Sequence, residues 1–191
     1  AGLCPIGPVS YISDTYANLD TRTIEGYDIG IYYDLDTGIG DFGFRYNGSF
    51  YDKYEQEATS GPSTILEEAK AADPTIVYPI GGIGDLLRFE GNQEERHNAT
   101  VSWRKGDLGA SVTMYRIGDF YQELSNGDRW EVPSMTTYNM TADYSFDIGE
   151  TETRVRLGML NFTDERAPLY DSSFGFSSDA HRDWGRSYYL D

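Results

Sequence analysis

Seven side chains in this sequence have the chemistry to hold a solute without breaking a bond: Tyr51, Tyr54, Tyr78, Arg88, Tyr121, Trp130 and Tyr170. Each aromatic offers a flat apolar face with a polar edge, and the arginine a rigid fork of donors. A plainer reading of each, as a residue of a loop or of an aromatic belt, stands beside the binding one. Bond-making chemistry has little support. The two histidines, His97 and His181, are far apart and lack metal-ligand spacing. No Ser/His/Asp arrangement is evident, and 32 acidic residues do not by themselves make a catalytic pair. Gly81-Gly82-Ile83-Gly84 lacks the strand–helix setting and the lysine of a phosphate loop. The expectation is a protein that binds rather than catalyses, with no catalytic residue, no metal and no cofactor.

The elements that must position such residues are strands. The chain has 191 residues, 15% of them aromatic, with 16 Tyr and 21 Gly. That composition favours many strands and turns. Mean hydropathy is −0.55, and no stretch approaches the length of uncharged apolar sequence that a membrane-spanning helix needs. Alternating strands average out as polar, so the same test does not address a transmembrane barrel. The net charge of −17 argues against nucleic acid as a partner, because backbone phosphates would be repelled.

A period of two runs through about seven segments. In 27–34, Tyr27, Ile29, Ile31 and Tyr33 oppose Asp28, Gly30, Tyr32 and Asp34. In 42–51, Phe42, Phe44, Tyr46 and Phe50 oppose Gly43, Arg45, Asn47, Ser49 and Tyr51. The pattern recurs in 98–104, 108–115, 137–146, 154–159 and 184–191. Short polar turns are expected at 35–41, 105–107 and 147–150, and long connections at 55–96, 123–132 and 163–183. Within the first, Thr64 with Glu67 has the form of a capping box, and Pro74 would end a short helix. The polar faces are Ser, Thr, Asn, Gly, Arg and Tyr rather than Lys and Glu, which suits a wet, enclosed lumen better than the outside of a sandwich. Arg45, Arg154 and Arg156 fall on that face, with Asp28 and Asp143 as candidate partners. Tyr32, Tyr33, Trp103, Tyr144, Phe146 and Tyr188, near strand ends, would form the aromatic belt of a membrane barrel.

Several segments resemble the TonB-dependent outer-membrane transporters, in the order that family has them. The run from Tyr16 to Ile29, with Asn18, Gly26 and Asp28, is similar to the entry of a late barrel strand. Val132-Pro133-Ser134-Met135-Thr136-Thr137-Tyr138-Asn139 resembles a strand start in which Asp is usual where Asn139 stands. Leu160-Asn161-Phe162-Thr163-Asp164-Glu165-Arg166-Ala167-Pro168 is the most specific match, and Gly185-Arg186-Ser187-Tyr188-Tyr189-Leu190 resembles the opening of the last strand. The resemblance implies an antiparallel transmembrane β-barrel of about 22 strands closed by a plug, of which residues 1–191 would be the C-terminal portion. It also implies a small-molecule substrate, contact with outer-membrane lipid, and a TonB complex reached through an N-terminal region not in this sequence.

The odd strand count and a last strand ending at Leu190-Asp191, short of a terminal aromatic, fit a piece of a longer chain. Residues 1–8 show no export leader, so one is expected to have been removed or to lie elsewhere. Cys4, the single cysteine, sits in a Gly/Pro-rich run. It is expected to form a disulfide to a cysteine upstream, the alternative being a small buried residue. The functional expectation is TonB-dependent uptake of a scarce solute, such as a ferric siderophore, another chelate or an oligosaccharide. The alternatives are a passive porin segment or a soluble all-β carbohydrate-binding or adhesion module.

Overall fold

Alternating polar and apolar residues give a strand two unlike faces, and such strands persist only where neighbours share the same alternation. The computed structural model describes residues 21–57, 62–75, 83–124 and 126–191. Cys4, Tyr78, Gly81 and Gly82 lie outside them. The strands are β1 Arg22–Thr37, β2 Gly40–Gln56, β3 Gly84–Asp85, β4 Glu95–Lys105, β5 Leu108–Ile117, β6 Phe120–Glu123, β7 Arg129–Val132, β8 Met135–Ile148, β9 Thr151–Leu160 and β10 Ser187–Leu190. One helix, α1 Pro62–Ala72, lies between β2 and β3. The chain is all-β, and every pairing between its named strands is antiparallel.

The main sheet runs β1-β2-β4-β5-β8-β9-β10, with β3 attached to the end of β2 and β6-β7 forming a separate hairpin. Each expected strand is present, and most are longer than the alternation alone marks. β1 and β2 extend outward to Arg22 and Gln56 through a bulge between Glu25 and Gly26. Main-chain pairing continues there although most of the side chains are polar or charged, Ile24 and Tyr54 excepted. The last strand is shorter than expected, because 184–186 belong to the loop.

Directly opposed residues of an antiparallel pair project to the same face. The registers therefore assemble rows that cross all seven strands. Leu35, Phe42, Trp103, Ala110, Ala142, Leu157 and Leu190 form one row, and Tyr33, Phe44, Val101, Val112, Met140, Met159 and Tyr188 the next. The other face carries Asp34, Gly43, Ser102, Ser111, Thr141, Gly158 and Tyr189, and a parallel row of Tyr32, Arg45, Thr100, Thr113 and Asn139. Tyr32 is thus not part of an aromatic belt on the apolar face. Its hydroxyl donates to Asn47 Oδ1 at 2.5 Å on the polar face.

The short turns, at Gly38-Ile39, Gly106-Asp107 and Gly149-Glu150, all fall at one end of the sheet, and the long connections at the other. Helix α1 begins at Pro62, suited to a first helical position because its missing N–H would be unpaired there anyway. That start overturns the capping box: Thr64 lies inside the first turn, and its hydroxyl has no hydrogen-bond partner. Past the end, Asp73 accepts bonds from the Thr75 N–H at 2.9 Å and hydroxyl at 2.6 Å, which turns the chain.

The buried apolar residues are not in the sheet's middle. Leu86, Phe120, Val132 and Met135 gather where the long connections meet. The connection 161–186 is pinned at both ends. Asn161, buried and at φ 47°, donates through Nδ2 to the carbonyls of Glu165 at 2.8 Å and Trp184 at 2.9 Å. Its Oδ1 accepts from the Glu165 N–H at 3.0 Å, and its own N–H donates to Asn139 Oδ1 at 2.8 Å. Asp164 accepts from the Arg186 N–H at 2.8 Å, and Asp183 clamps Arg166 and the Ala167 N–H. Asn161→Ala removes both donors and an acceptor from a buried site and leaves a residue less tolerant of positive φ. It is expected to cost about 2–4 kcal/mol. Hydrogen exchange of the full-length protein should show residues 161–190 losing protection while β4 and β5 keep theirs.

Candidate functional site

The polar face is roofed at the long-connection end, and the space beneath holds three adjoining cavities. The first, about 430 Å³, lies over β1 and β2 and is lined by Ile24, Ser49, Tyr51, Tyr54, Asn92 and Arg96 among others. The second, about 440 Å³, shares Ser49 and Arg96 with it and adds Asn47, Asn98, Asp179 and Arg182. The third, about 380 Å³, shares Tyr115, Ile117, Ala180 and Arg182 with the second and extends to Asn139 and Trp184. Together they make a groove across the sheet, with strand residues as floor and the 161–186 connection as part of its wall.

Tyr51 and Tyr54 both line this groove: three residues apart, they come to one face because the bulge opposite Glu25 and Gly26 shifts the register between them. The Tyr54 ring lies under Arg22, whose guanidinium carbon is 5.5 Å from the ring centre and whose Nη1 donates to the Tyr54 hydroxyl at 3.2 Å. Three other candidates converge above it in the packed connections. Arg88, at φ 60°, pairs with Asp119 and with Glu131 at 3.0 Å. Its carbonyl accepts from the N–H of Tyr121 at 2.7 Å, and the Tyr121 ring packs against Phe89 at 5.7 Å and carries Arg129 above it at 4.4 Å. The Tyr170 hydroxyl donates to Glu90 while its ring lies 6.1 Å from Phe120. Burial, aided by Glu90, pushes the Tyr170 hydroxyl well above its ordinary range, so it stays a donor. Arg88 and Tyr170 use their side-chain polar groups, and Tyr121 its main chain, to join one connection to the next. Trp130 stands on β7 opposite Gln122, with its ring partly exposed.

Sequence reasoning did not single out Arg96, Asn98, Tyr115, Arg182 or Trp184 as site residues. Asn98 and Tyr115 carried a legible sign, their place on the polar face. Arg182 and Trp184 carried none, because no periodicity places a residue of an irregular connection.

At the other end of the polar face, Arg104 and Arg154 both engage buried Asp143, at 2.8 and 2.7 Å, and Arg45 pairs with Asp34 at 2.6 Å. Asp143 is one of the partners the sequence suggests; Asp28 is replaced by Asp34 because Tyr32 and Arg45 are opposed and Asp34 follows two residues on. Neither histidine lies open on a surface or on the polar face. His97 is on the apolar face, half-buried, with Nδ1 2.8 Å from the Tyr46 hydroxyl and Nε2 3.3 Å from Glu95. His181 is 1% exposed, stacked on Phe120 at 5.5 Å, with neither ring nitrogen hydrogen-bonded. Packing among the connections buries it, which alternation along strands cannot foretell.

No family model, no curated protein and no solved structure matches this chain.

His181 sets a pH dependence. Burial, with a smaller contribution from the charge of Arg96, holds its proton affinity below the ordinary 6.5. The folded state thus favours neutral imidazole, so its contribution is complete above that value and is lost as the pH falls through it. Asp183 is depressed below 3.8 by the Arg166 guanidinium and the Ala167 N–H, so its contribution is lost at lower pH still. Limited proteolysis of the full-length protein is expected to cut within 161–186 faster at pH 5 than at pH 7.5. His181→Leu removes two unpaired nitrogens and should abolish that step, leaving only the loss below about pH 4.

Proposed function

We propose that this chain is the C-terminal part of the β-barrel of a TonB-dependent transporter in the bacterial outer membrane. In this reading the seven-stranded sheet is an arc of a barrel of about 22 strands. The apolar rows face lipid, the polar face lines the lumen, and the groove holds a scarce solute such as a ferric siderophore, another chelate or an oligosaccharide. A plug and a TonB-contacting segment belong to the N-terminal region of the whole protein. The work is binding and gating, with no bond broken.

One observation carries the reading: among the described residues, the connections fold over the polar face and leave the apolar face bare. A sandwich covers its apolar face with a second sheet. Here Val101, Leu157 and Tyr188 remain 45%, 60% and 67% exposed among the described residues, in rows that cross seven strands. An uncovered apolar surface of that extent suits lipid. Its height agrees: Tyr138 to Ile148 is eleven residues of β8, or about 34 Å along the strand and about 26 Å after a tilt near 40°. Aromatics stand at both limits, Tyr144 stacked on Phe146 at 6.0 Å and Tyr27 on Phe50 at 5.1 Å.

The full-length protein should migrate faster on gels unheated than boiled and require detergent to stay in solution. Val112→Lys, on the bare face, is expected to cost about 2–4 kcal/mol, and Thr113→Lys, on the other, much less. Cells should accumulate the solute only while the proton motive force is maintained. Uptake that survives its collapse would make the protein a passive channel, and solubility without detergent would make it a soluble module.

A further inference from the structure

The geometry points to an anion-binding subsite in the middle of the groove, formed by Arg96 and Arg182, that takes a carboxylate or phosphate group of the solute. This rests on the reading of the polar face as a lumen and adds a ligand chemistry to it.

Arg96 comes from β4 and Arg182 from the 161–186 connection, yet both line the 440 Å³ cavity. Neither has a carboxylate partner among the described residues. Arg96 donates to Gln93 Oε1 at 2.9 Å, and Arg182 lies over the Trp184 ring at 4.9 Å. What sets this pair apart is that two guanidinium groups without a carboxylate share one cavity on the polar face. Arg45, Arg88, Arg104, Arg116, Arg154 and Arg166 hold acids at ion-pair distance, whereas Arg22, Arg129, Arg156 and Arg186, like Arg96 and Arg182, have no carboxylate at that distance among the described residues. One carboxylate, Asp179, also lines the cavity, against two unpaired guanidinium groups. Walls of low polarizability concentrate the field of such a pair, and a guanidinium fork matches the two oxygens of an oxyanion.

Neutral donors complete the subsite. Asn47, Asn98 and Tyr115 are opposed in one row of the polar face and line the same cavity. The Tyr32 hydroxyl occupies Asn47 Oδ1 and leaves its amide N–H groups to donate. Arg96 also belongs to the cavity that holds Tyr51 and Tyr54, so the rest of an anionic solute would extend over those rings.

The test is titration of the full-length protein in neutral detergent with tricarballylate and, separately, inorganic pyrophosphate, followed by calorimetry and by tryptophan emission. The two probes separate a carboxylate from a phosphate preference. At least one should bind, with affinity falling as salt rises. Arg96→Gln and Arg182→Gln should each weaken it about tenfold or more, while Arg186→Gln, outside the cavity, should not. Arg→Lys at either site should restore only part, because the fork is lost. Failure of both probes to bind, or binding unchanged in the Arg96→Gln/Arg182→Gln double variant, would overturn the subsite. Heat-modifiable migration measured on the same preparations tests the barrel independently, so a sound barrel that ignores both anions defeats this inference alone.

Discussion

Everything in this structure depends on the register of an antiparallel ladder. Side chains alternate with a period of two, so a slip of one residue between any pair of strands would exchange the faces of everything beyond it. Seven strands keep Leu35, Phe42, Trp103, Ala110, Ala142, Leu157 and Leu190 in line, which requires six successive pairings to agree. Short turns help enforce this. Gly106 and Gly149, at φ 57° and 65°, take conformations that most residues resist, and they return β4 to β5 and β8 to β9 without slack. In the outer parts of β1 and β2, where charged and polar residues outnumber apolar ones, the ladder tolerates a bulge.

That constraint also decides where the core can be. A sheet with one bare face and one polar face has no interior of its own, and the buried apolar side chains instead collect among the long connections. Phe120 and Val132 are fully buried there, and His181 is stacked against Phe120. The connections hold one another by polar links between distant parts of the chain, including Gln122 with the Asp171 main chain at 2.9 Å in both directions. The Leu160–Pro168 motif acquires a physical meaning in this setting. Asn161 and Asp164 both stand at positive φ and use their side chains to join the start of the connection to its end. They thereby fix the wall of the groove.

The strands were legible because alternation is local: a window of eight residues around Phe44 or Val112 contains the whole signal. The longer limits of β1 and β2 were not, since the bulge between Glu25 and Gly26 breaks the period of two there. Two short strands, β6 and β7, and the pair β3 also escaped, because four residues such as Phe120–Glu123 are too few for a period to stand out. For the site the division is the same. Tyr51 was found from the strand that carries it, whereas Tyr54 lay beyond the expected strand and shares the face of Tyr51 only through the bulge. Arg182, placed by the fold of an irregular connection on Asn161 and His181, could only be found in three dimensions.

The arginines of the polar face show how one residue type serves two ends of the same surface. Near the short turns, Asp143 draws Arg104 and Arg154 onto a single buried carboxylate, and Gly109 makes room for it: a Cβ there would stand 2.6 Å from Arg104 Nη2 and 2.9 Å from both carboxylate oxygens of Asp143. Any larger residue at 109 would push the pair apart, so the contact depends on the absence of a side chain one strand away. Near the long connections the strand row beside Arg96 carries no acid, and Asp179, from the 161–186 connection, lines the cavity without standing at ion-pair distance from Arg96 or Arg182 among the described residues. Asn98, Tyr115 and Thr137 stand in the row beside Arg96, and they can neither neutralise a guanidinium nor hold it as an anion would. Leaving a cation unmatched in an acidic protein sacrifices a local interaction. The compensation is that an incoming anion meets a guanidinium already free, and need not displace an internal carboxylate to reach it.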